Sequence, residues 1–426
     1  MSRDRCTSRI VVRLSRFLRS SLVTITIAIL CVAHVSSLRG QESVRTAAQQ
    51  LEIASFRNPI AFFHIGPLEE VLLGSVGAGY TDNADLTPTN KISDFSLTQA
   101  LSLNCTWVIS HFNQLQLNFG GELTENFYSN GSNQTTFAVS PGSLLQFQFA
   151  LSDWQVRLYD SIQNVQNPTS DPAATNVANL HNFTNTAGVE IKRDLSLAVL
   201  SLSADYTYNN QSGSTTTGAS NPSFTGTRQT LRVGSSLQFN WNQTLFYGIN
   251  TTATRSSGAG GPNVDSLNVG PFLKGKLTPW TDIDFSGGLS LYDTSAPQIE
   301  PTTYYFAASI RHQLNPNMQL IFGALHDLAF TNSTFLVEET VIRAGAQVNL
   351  TRFITLSATP SIYLGNDKTA PPPGRFTLFG VEAGLVWKPH VRWSTGLTYD
   401  FYRREADLAA NTYIQNSLTF QVSYAF

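Results

Sequence analysis

Eleven ionisable residues recur at positions where polar side chains alternate with apolar ones: Glu122, Arg157, Asp205, Arg232, Lys274, Asp284, Arg311, Arg343, Glu382, Arg392 and Asp400. An Arg or Lys facing lipid near mid-membrane costs on the order of 2–4 kcal/mol, so in a membrane wall this set is expected to face water. Six are basic and five acidic. Such a mixture can brace the wall as ion pairs, or line a hydrated pore and set its selectivity. They are the candidate pore-lining residues.

Catalytic chemistry has less to work with. The seven His are scattered through the chain, and only His312 and His326 are expected to approach each other, across a hairpin. Neither has a carboxylate or thiol at ligand spacing, so no metal site is expected. Ser and Thr are too numerous for any one beside a His to mark a nucleophile. Gly74, Gly77 and Gly79 fall within a strand pattern with no helix after them, which suits curvature rather than phosphate binding. No catalytic residue, cofactor or enzymatic activity is expected.

These charges need elements with a period of two. From Thr412 to Phe426, Ile414, Asn416, Leu418, Phe420, Val422, Tyr424 and Phe426 take one face, and Gln415, Ser417, Thr419, Gln421, Ser423 and Ala425 the other. One side can meet lipid and the other water. The same alternation runs through Gln114–Tyr128, Ala198–Thr207, Leu231–Trp241, Ile283–Leu291 and Ile342–Leu350. No helical period competes with it. Short turns are expected at Ser110–Asn113, Ser152–Asp153, Arg193–Asp194, Asn242–Gln243, Thr278–Trp280, Asn315–Asn317, Thr351–Arg352 and Pro389–His390. Long polar loops are expected at Asn164–Asn179, Asn209–Gly226, Ser256–Asn263 and Gly365–Gly374, the first two narrowing the lumen. Tight turns alternating with long loops are the outer-membrane arrangement. All six Trp stand beside short turns, where an interfacial girdle belongs.

Composition agrees. With 42% hydrophobic but only 13% charged residues, the chain is charge-poor for a soluble enzyme, where about 25% is usual. Yet after Val35 no run of 18 apolar residues occurs. A chain apolar enough for a membrane but without a spanning helix satisfies its backbone in lipid as a closed barrel. The expected fold is all-β: a transmembrane antiparallel up-and-down β-barrel of about eighteen strands, within sixteen to twenty, over residues 70–426. Residues 1–40 read as a secretory signal peptide, with Arg9, Arg13, Arg16 and Arg19 before an apolar run from Leu22 to Val35. Its cleavage would follow Ser37 or Gly40. Residues 41–69 fit neither period and are expected to form a loosely ordered lead-in segment on the periplasmic side, with a short helix or a plug entering the lumen as the alternative. Without residues 1–40, which hold seven Arg and one Asp, 20 basic and 28 acidic residues remain. That balance, near −8, removes the driving force for nucleic-acid binding. Only Cys105 remains of three cysteines, which excludes an internal disulfide.

The opening of the barrel reads His64-Ile65-Gly66-Pro67, then Gly79-Tyr80-Thr81-Asp82-Asn83 and Asp94-Phe95, with Ser140-Pro141 and Leu158-Tyr159-Asp160 later. The mature chain thereby resembles the second family of porin-like β-barrel proteins found in Gram-negative bacteria of planctomycete and verrucomicrobial type. The resemblance implies an outer-membrane porin-like barrel, with Asp82 and Asn83 at the start of its first outer loop. The closing strand also resembles those of bacterial outer-membrane barrels, whose terminal Phe, here Phe426, is part of the signal read by the barrel-insertion machinery.

The expected function is a channel for passive diffusion of small hydrophilic solutes, with outer-membrane lipid and the insertion machinery as partners. A barrel exporting a secreted polysaccharide, or one serving as an enzyme or structural anchor, shares these features. One geometric consequence is sharp. With an even number of strands, the strand ending at Phe426 must pair with the strand beginning near Val71.

Overall fold

The computed structural model describes residues 63–65 and 68–426, apart from 111–112, 132, 167–176, 216–222, 259–261, 295–301, 332–334 and 369–373. The signal peptide and most of the lead-in segment lie outside the described residues, as do the centres of the loops at 164–179 and 209–226. Strand follows strand: β1 (Phe63–Ile65), β2 (Leu68–Thr81), β3 (Asp94–Val108), β4 (Gln114–Tyr128), β5 (Asn133–Leu151), β6 (Trp154–Gln166) and β7 (Val177–Asp194). Next come β8 (Ala198–Thr215), β9 (Ser223–Asn240), β10 (Leu245–Gly258), β11 (Val264–Thr278), β12 (Thr281–Thr294) and β13 (Thr302–Asn315). The chain ends with β14 (Met318–Thr331), β15 (Phe335–Asn349), β16 (Ile354–Asp367), β17 (Gly374–His390), β18 (Trp393–Ala406) and β19 (Tyr413–Ala425).

Each strand from β2 to β19 pairs antiparallel with its neighbour in sequence, and β19 pairs with β2 over Ser417↔Thr81 to Ala425↔Leu73. The sheet is therefore a closed barrel of eighteen strands, and closure leaves no edge along the seam. The short β1 pairs with β2 over Phe63↔Glu70 to Ile65↔Leu68, on residues that β19 does not reach. It was not anticipated, because three residues show no period.

The wall is turned inside out relative to a soluble protein. On one parity stand exposed apolar residues such as Val76, Phe119, Leu158, Leu231, Ile249, Leu289, Ile342 and Phe420. On the other stand Ser, Thr, Asn, Gln and charged residues, many of them buried, such as Ser201, Ser236, Asn250, Ser290, Ser361 and Gln415. The apolar parity faces outward and the polar one lines the lumen.

At one end the barrel strands are joined by the eight short turns. Side chains shape them. Asn242 Oδ1 accepts the N–H groups of Thr244 and Leu245, both at 2.8 Å, and Asp194 Oδ1 accepts that of Ser196 at 2.8 Å. Two turns sit later than expected, at Leu195–Leu197 and Val391–Arg392, because β7 and β17 run through Asp194 and His390. Trp107, Trp241, Trp280, Trp387 and Trp393 are exposed at this end, and Trp154 there carries the Arg193 guanidinium over its ring at 5.1 Å. At the other end the strands outrun the loops expected there. They are 13–19 residues long, more than the roughly 9–11 that a tilted strand needs to span a hydrocarbon layer.

The seam is finished at Phe426. Its N–H donates to Leu72 O at 2.9 Å. Its ring packs edge-on to Tyr424 at 5.1 Å, over Gly74, where an added Cβ would lie 3.1 Å from that ring. The glycine makes room for the terminal aromatic.

Candidate functional site: the lumen wall and the first loop

Of the eleven sequence candidates, ten stand on inward-facing strand positions: Glu122 on β4, Arg157 on β6, Asp205 on β8, Arg232 on β9, Lys274 on β11, Asp284 on β12, Arg311 on β13, Arg343 on β15, Glu382 on β17 and Asp400 on β18. Arg392 does not. It occupies the two-residue turn after β17, because the strand continues two residues past Lys388 and the parity count ends at the turn.

Register brings several of the ten together. Asp205 stands opposite Arg232, Lys274 opposite Asp284, and Glu382 opposite Asp400. Each pair is a cross-strand contact of about 4.5–5.5 Å between Cβ atoms. The Glu382–Asp400 pair joins like charges, and hydroxyls attend both: Tyr402 Oη donates to Glu382 Oε1 at 2.8 Å and Ser417 Oγ to Asp400 Oδ2 at 3.1 Å. Inward-facing groups outside the candidate set extend the pattern. Glu190 binds Arg157 Nε at 3.1 Å and Lys192 Nζ at 3.0 Å. Arg228 donates to Ser256 Oγ at 3.0 Å, and Asp327 lies within electrostatic reach of Arg232, five strands away around the wall. Arg228 and Arg232 share a parity, as do Glu190 and Lys192, and that spacing was the available signal. It was hidden because the strands reach further into the expected loops and turns than composition shows.

The charges are not evenly spread. On the arc from β6 to β13 the basic groups Arg157, Lys192, Arg228, Arg232, Lys274 and Arg311 are interleaved with the carboxylates Glu190, Asp205, Asp282 and Asp284. Across the seam from β17 to β4, Glu382, Asp400, Asp94 and Glu122 predominate, with Arg404 among them. Asp284 and Arg311 are exposed although they face inward, so solvent reaches this wall.

The larger departure from expectation lies in the first loop, residues 82–93. It folds into the mouth. Leu86 is 0% exposed, seated among Val341, Tyr363, Leu378, Tyr402 and Tyr413, inward-facing residues of β15 to β19. Two residues anchor it to the closing strand. The Asp82 carboxylate accepts the backbone N–H and the Nδ2 of Asn416, both at 2.7 Å. Asn83 Nδ2 donates to Thr87 O at 2.9 Å and Ile414 O at 3.0 Å, its Oδ1 accepts Thr87 N–H at 3.1 Å, and Gln415 Nε2 donates to Asn83 O at 2.8 Å. Asp85, also buried, accepts the Ile92 N–H at 3.2 Å. Burial raises its pKa above the ordinary carboxylate value, and the Ile92 hydrogen bond only partly offsets this.

No family model matches the chain, and no curated protein matches it. Solved barrels do. The chain is similar to OccK7 (OpdD) of Pseudomonas aeruginosa at 9% identity, covering 85% of this chain and 99% of that one with a TM-score of 0.48. It is similar to a BenF-like porin from Pseudomonas fluorescens at 11% identity, over 85% and 100%, with a TM-score of 0.49. The siderophore receptor PirA of Acinetobacter baumannii matches at 9% identity, over 85% and 81%, with a TM-score of 0.42. At such identities and scores no role passes from these proteins to this chain. The lumen has to be read from its own residues.

The His312–His326 approach does not occur. In the β13–β14 register His312 faces Leu320 and His326 faces Phe306, so the two rings lie at different heights. Each bonds a hydroxyl instead: His312 Nδ1 with Thr281 Oγ1 at 2.9 Å and His326 Nδ1 with Thr340 Oγ1 at 2.8 Å. Among the described residues no group of three or more His, Cys, Asp or Glu is placed to hold a metal ion.

Proposed function

We propose that this protein is an outer-membrane channel for passive diffusion of small hydrophilic solutes, charge-sensing through its lumen wall. The observation that carries the reading is the closed eighteen-strand wall whose inward charges, Asp284 and Arg311 among them, remain accessible to solvent. A barrel of this strand number is too wide for its own side chains to fill. Its outward apolar band and its Trp girdle at the short-turn end fit lipid, with the short turns in the periplasm. The resemblance to the porin-like family through Tyr80-Thr81-Asp82-Asn83 points the same way, and membership in that family is part of this proposal. So are the signal peptide at 1–40, the lead-in at 41–69, and recognition of Phe426 by the insertion machinery.

The mixed charges on the arc from β6 to β13, facing a more acidic seam, set a transverse field that orients a charged or dipolar solute as it passes. The pore-lining roles of the ten wall residues rest on this reading. Recording of the purified full chain in planar bilayers under a salt gradient tests it. The wild type is expected to conduct, and Arg157→Glu with Arg232→Glu to shift the reversal potential toward cation preference. A correctly inserted barrel that never conducts would overturn the channel reading and favour polymer export or anchoring instead.

A further inference from the structure

On the outward face, toward the loop end of β14 to β17, the wall is not smooth. His326, Glu338, Thr340, Asn366, Arg375 and Thr377 border a cavity of about 340 Å³. Their parities are those of the exposed apolar residues Phe322, Ile342, Leu364 and Phe379, so the cavity opens outward, away from the lumen. Its polar groups are held in place. His326 is 7% exposed, with its ring stacked on Tyr304 at 4.4 Å and near Phe306 at 5.8 Å. Its Nδ1 is committed to Thr340 Oγ1. Its Nε2 is buried without a hydrogen-bond partner, and Glu338 Oε1 is 3.7 Å away, too far to serve as one. Leaving such a nitrogen unsatisfied is costly, which calls for an explanation.

The charges around it give one. Glu338 Oε2 holds Lys368 Nζ at 2.7 Å beside the cavity. Arg375, opposite Asn366 in the β16–β17 register, is exposed at the same height. The nearby carboxylates of Glu405 and Asp407 are engaged, the first with Arg403 and the second with the Arg375 backbone N–H at 3.0 Å. Further along the same strands, away from the loops, the face is apolar, with Phe322, Ile342 and Ile362 exposed. A hydrogen-bond donor or acceptor in an aromatic-walled pocket, Arg375 and the Glu338-paired Lys368 at its rim and a hydrocarbon surface beside it match the layers of a phosphorylated lipid, whose phosphate would share Lys368 with Glu338.

We propose that this outward cavity binds the phosphate of a glycolipid headgroup in the outer leaflet, with Lys368 and Arg375 as charge partners and His326 Nε2 as a hydrogen-bond donor. The proposal rests on the membrane placement above, and its test separates the two. The full chain is inserted into phosphatidylcholine vesicles doped with diphosphoryl lipid A, with its fully dephosphorylated form, or with neither but with inorganic phosphate in the buffer. Retained lipid is then counted by native mass spectrometry. The wild type is expected to retain the phosphorylated lipid at least about tenfold more than the dephosphorylated one. Lys368→Ala with Arg375→Ala is expected to remove that preference, and His326→Phe, which keeps the ring stack, to weaken it. Equal retention of both lipids, an unchanged preference in the variants, or binding of inorganic phosphate alone would overturn the proposal while leaving the membrane reading intact. Failure of the wild type to insert would overturn both.

Discussion

Leu86 offers the most direct handle on the mouth of the barrel. Its side chain is fully buried between the first loop and the inner wall, against Val341, Tyr363, Leu378, Tyr402 and Tyr413. Truncating such a leucine costs about 2–5 kcal/mol, through lost transfer energy and the cavity left behind. The barrel wall does not depend on it, because the strands are paired on both sides without it. The cost therefore falls on the equilibrium between loop docked and loop released. Taking about 2 kcal/mol, Leu86→Ala shifts that equilibrium about 30-fold toward release. Asn83→Ala, which removes side-chain bonds to Thr87 and Ile414, is expected to act in the same direction. Single-channel recording is the assay: both variants should spend more time in a larger-conductance state, while Leu145→Ala, on the outward face, should not. If Leu86→Ala inserts normally and shows wild-type amplitudes and dwell times, the loop does not narrow the mouth and the reasoning fails.

Three further outcomes follow from the same structure. The raised pKa of Asp85 means that the docked loop prefers the protonated acid; this stabilisation is complete below the ordinary carboxylate pKa and is lost as pH rises through the raised one. Loop release should thus increase with pH just above the ordinary carboxylate range, and Asp85→Asn should flatten the dependence when dwell times are recorded across it. Tyr305 Oη donates to Asn250 Oδ1 at 3.0 Å from β13 to β10, along a register row in which Gly288 and Gly270 supply no side chains. Tyr305→Phe should cost about 1–3 kcal/mol in urea unfolding by orphaning the buried amide, and Gly288→Val should cost more, because a Cβ there would fall 2.0 Å from Val269 O. Finally, Phe426→Ala should slow assembly of the barrel into vesicles, read from the heat-dependent gel shift, whereas Phe426→Tyr, which keeps the ring over Gly74, should not; equal rates would count against a role for the terminal ring.

Much of the barrel was legible because a two-residue period is local. The run Ile414–Phe426 showed which faces were apolar and polar, and the closure of β19 on β2 followed from an even strand count with both ends on one side. Ten of the eleven charges took the inward face for the same reason, since one parity decides the orientation of a whole strand. Arg392 shows the limit: parity has meaning only inside a strand, and the last residue before a turn is not marked by composition. The reach of the strands past their expected ends was hidden likewise, because a strand end can be as polar as a loop.

What depended on tertiary structure is everything that joins distant strands. Asp82 and Asn83 could be placed at the start of a loop from the sequence, but their bonds to Asn416, Ile414 and Gln415 span more than 330 residues and exist only once the barrel closes. Leu86 looks like an ordinary apolar residue in a polar loop, and its seat is assembled from five strands that are adjacent to the loop only through the seam. The pocket around His326 draws on successive strands in the same way. Sequence alternation determined which way each side chain points, since that is set by neighbours one bond away. Register and closure decided what it meets, because those partners come from other strands of the wall.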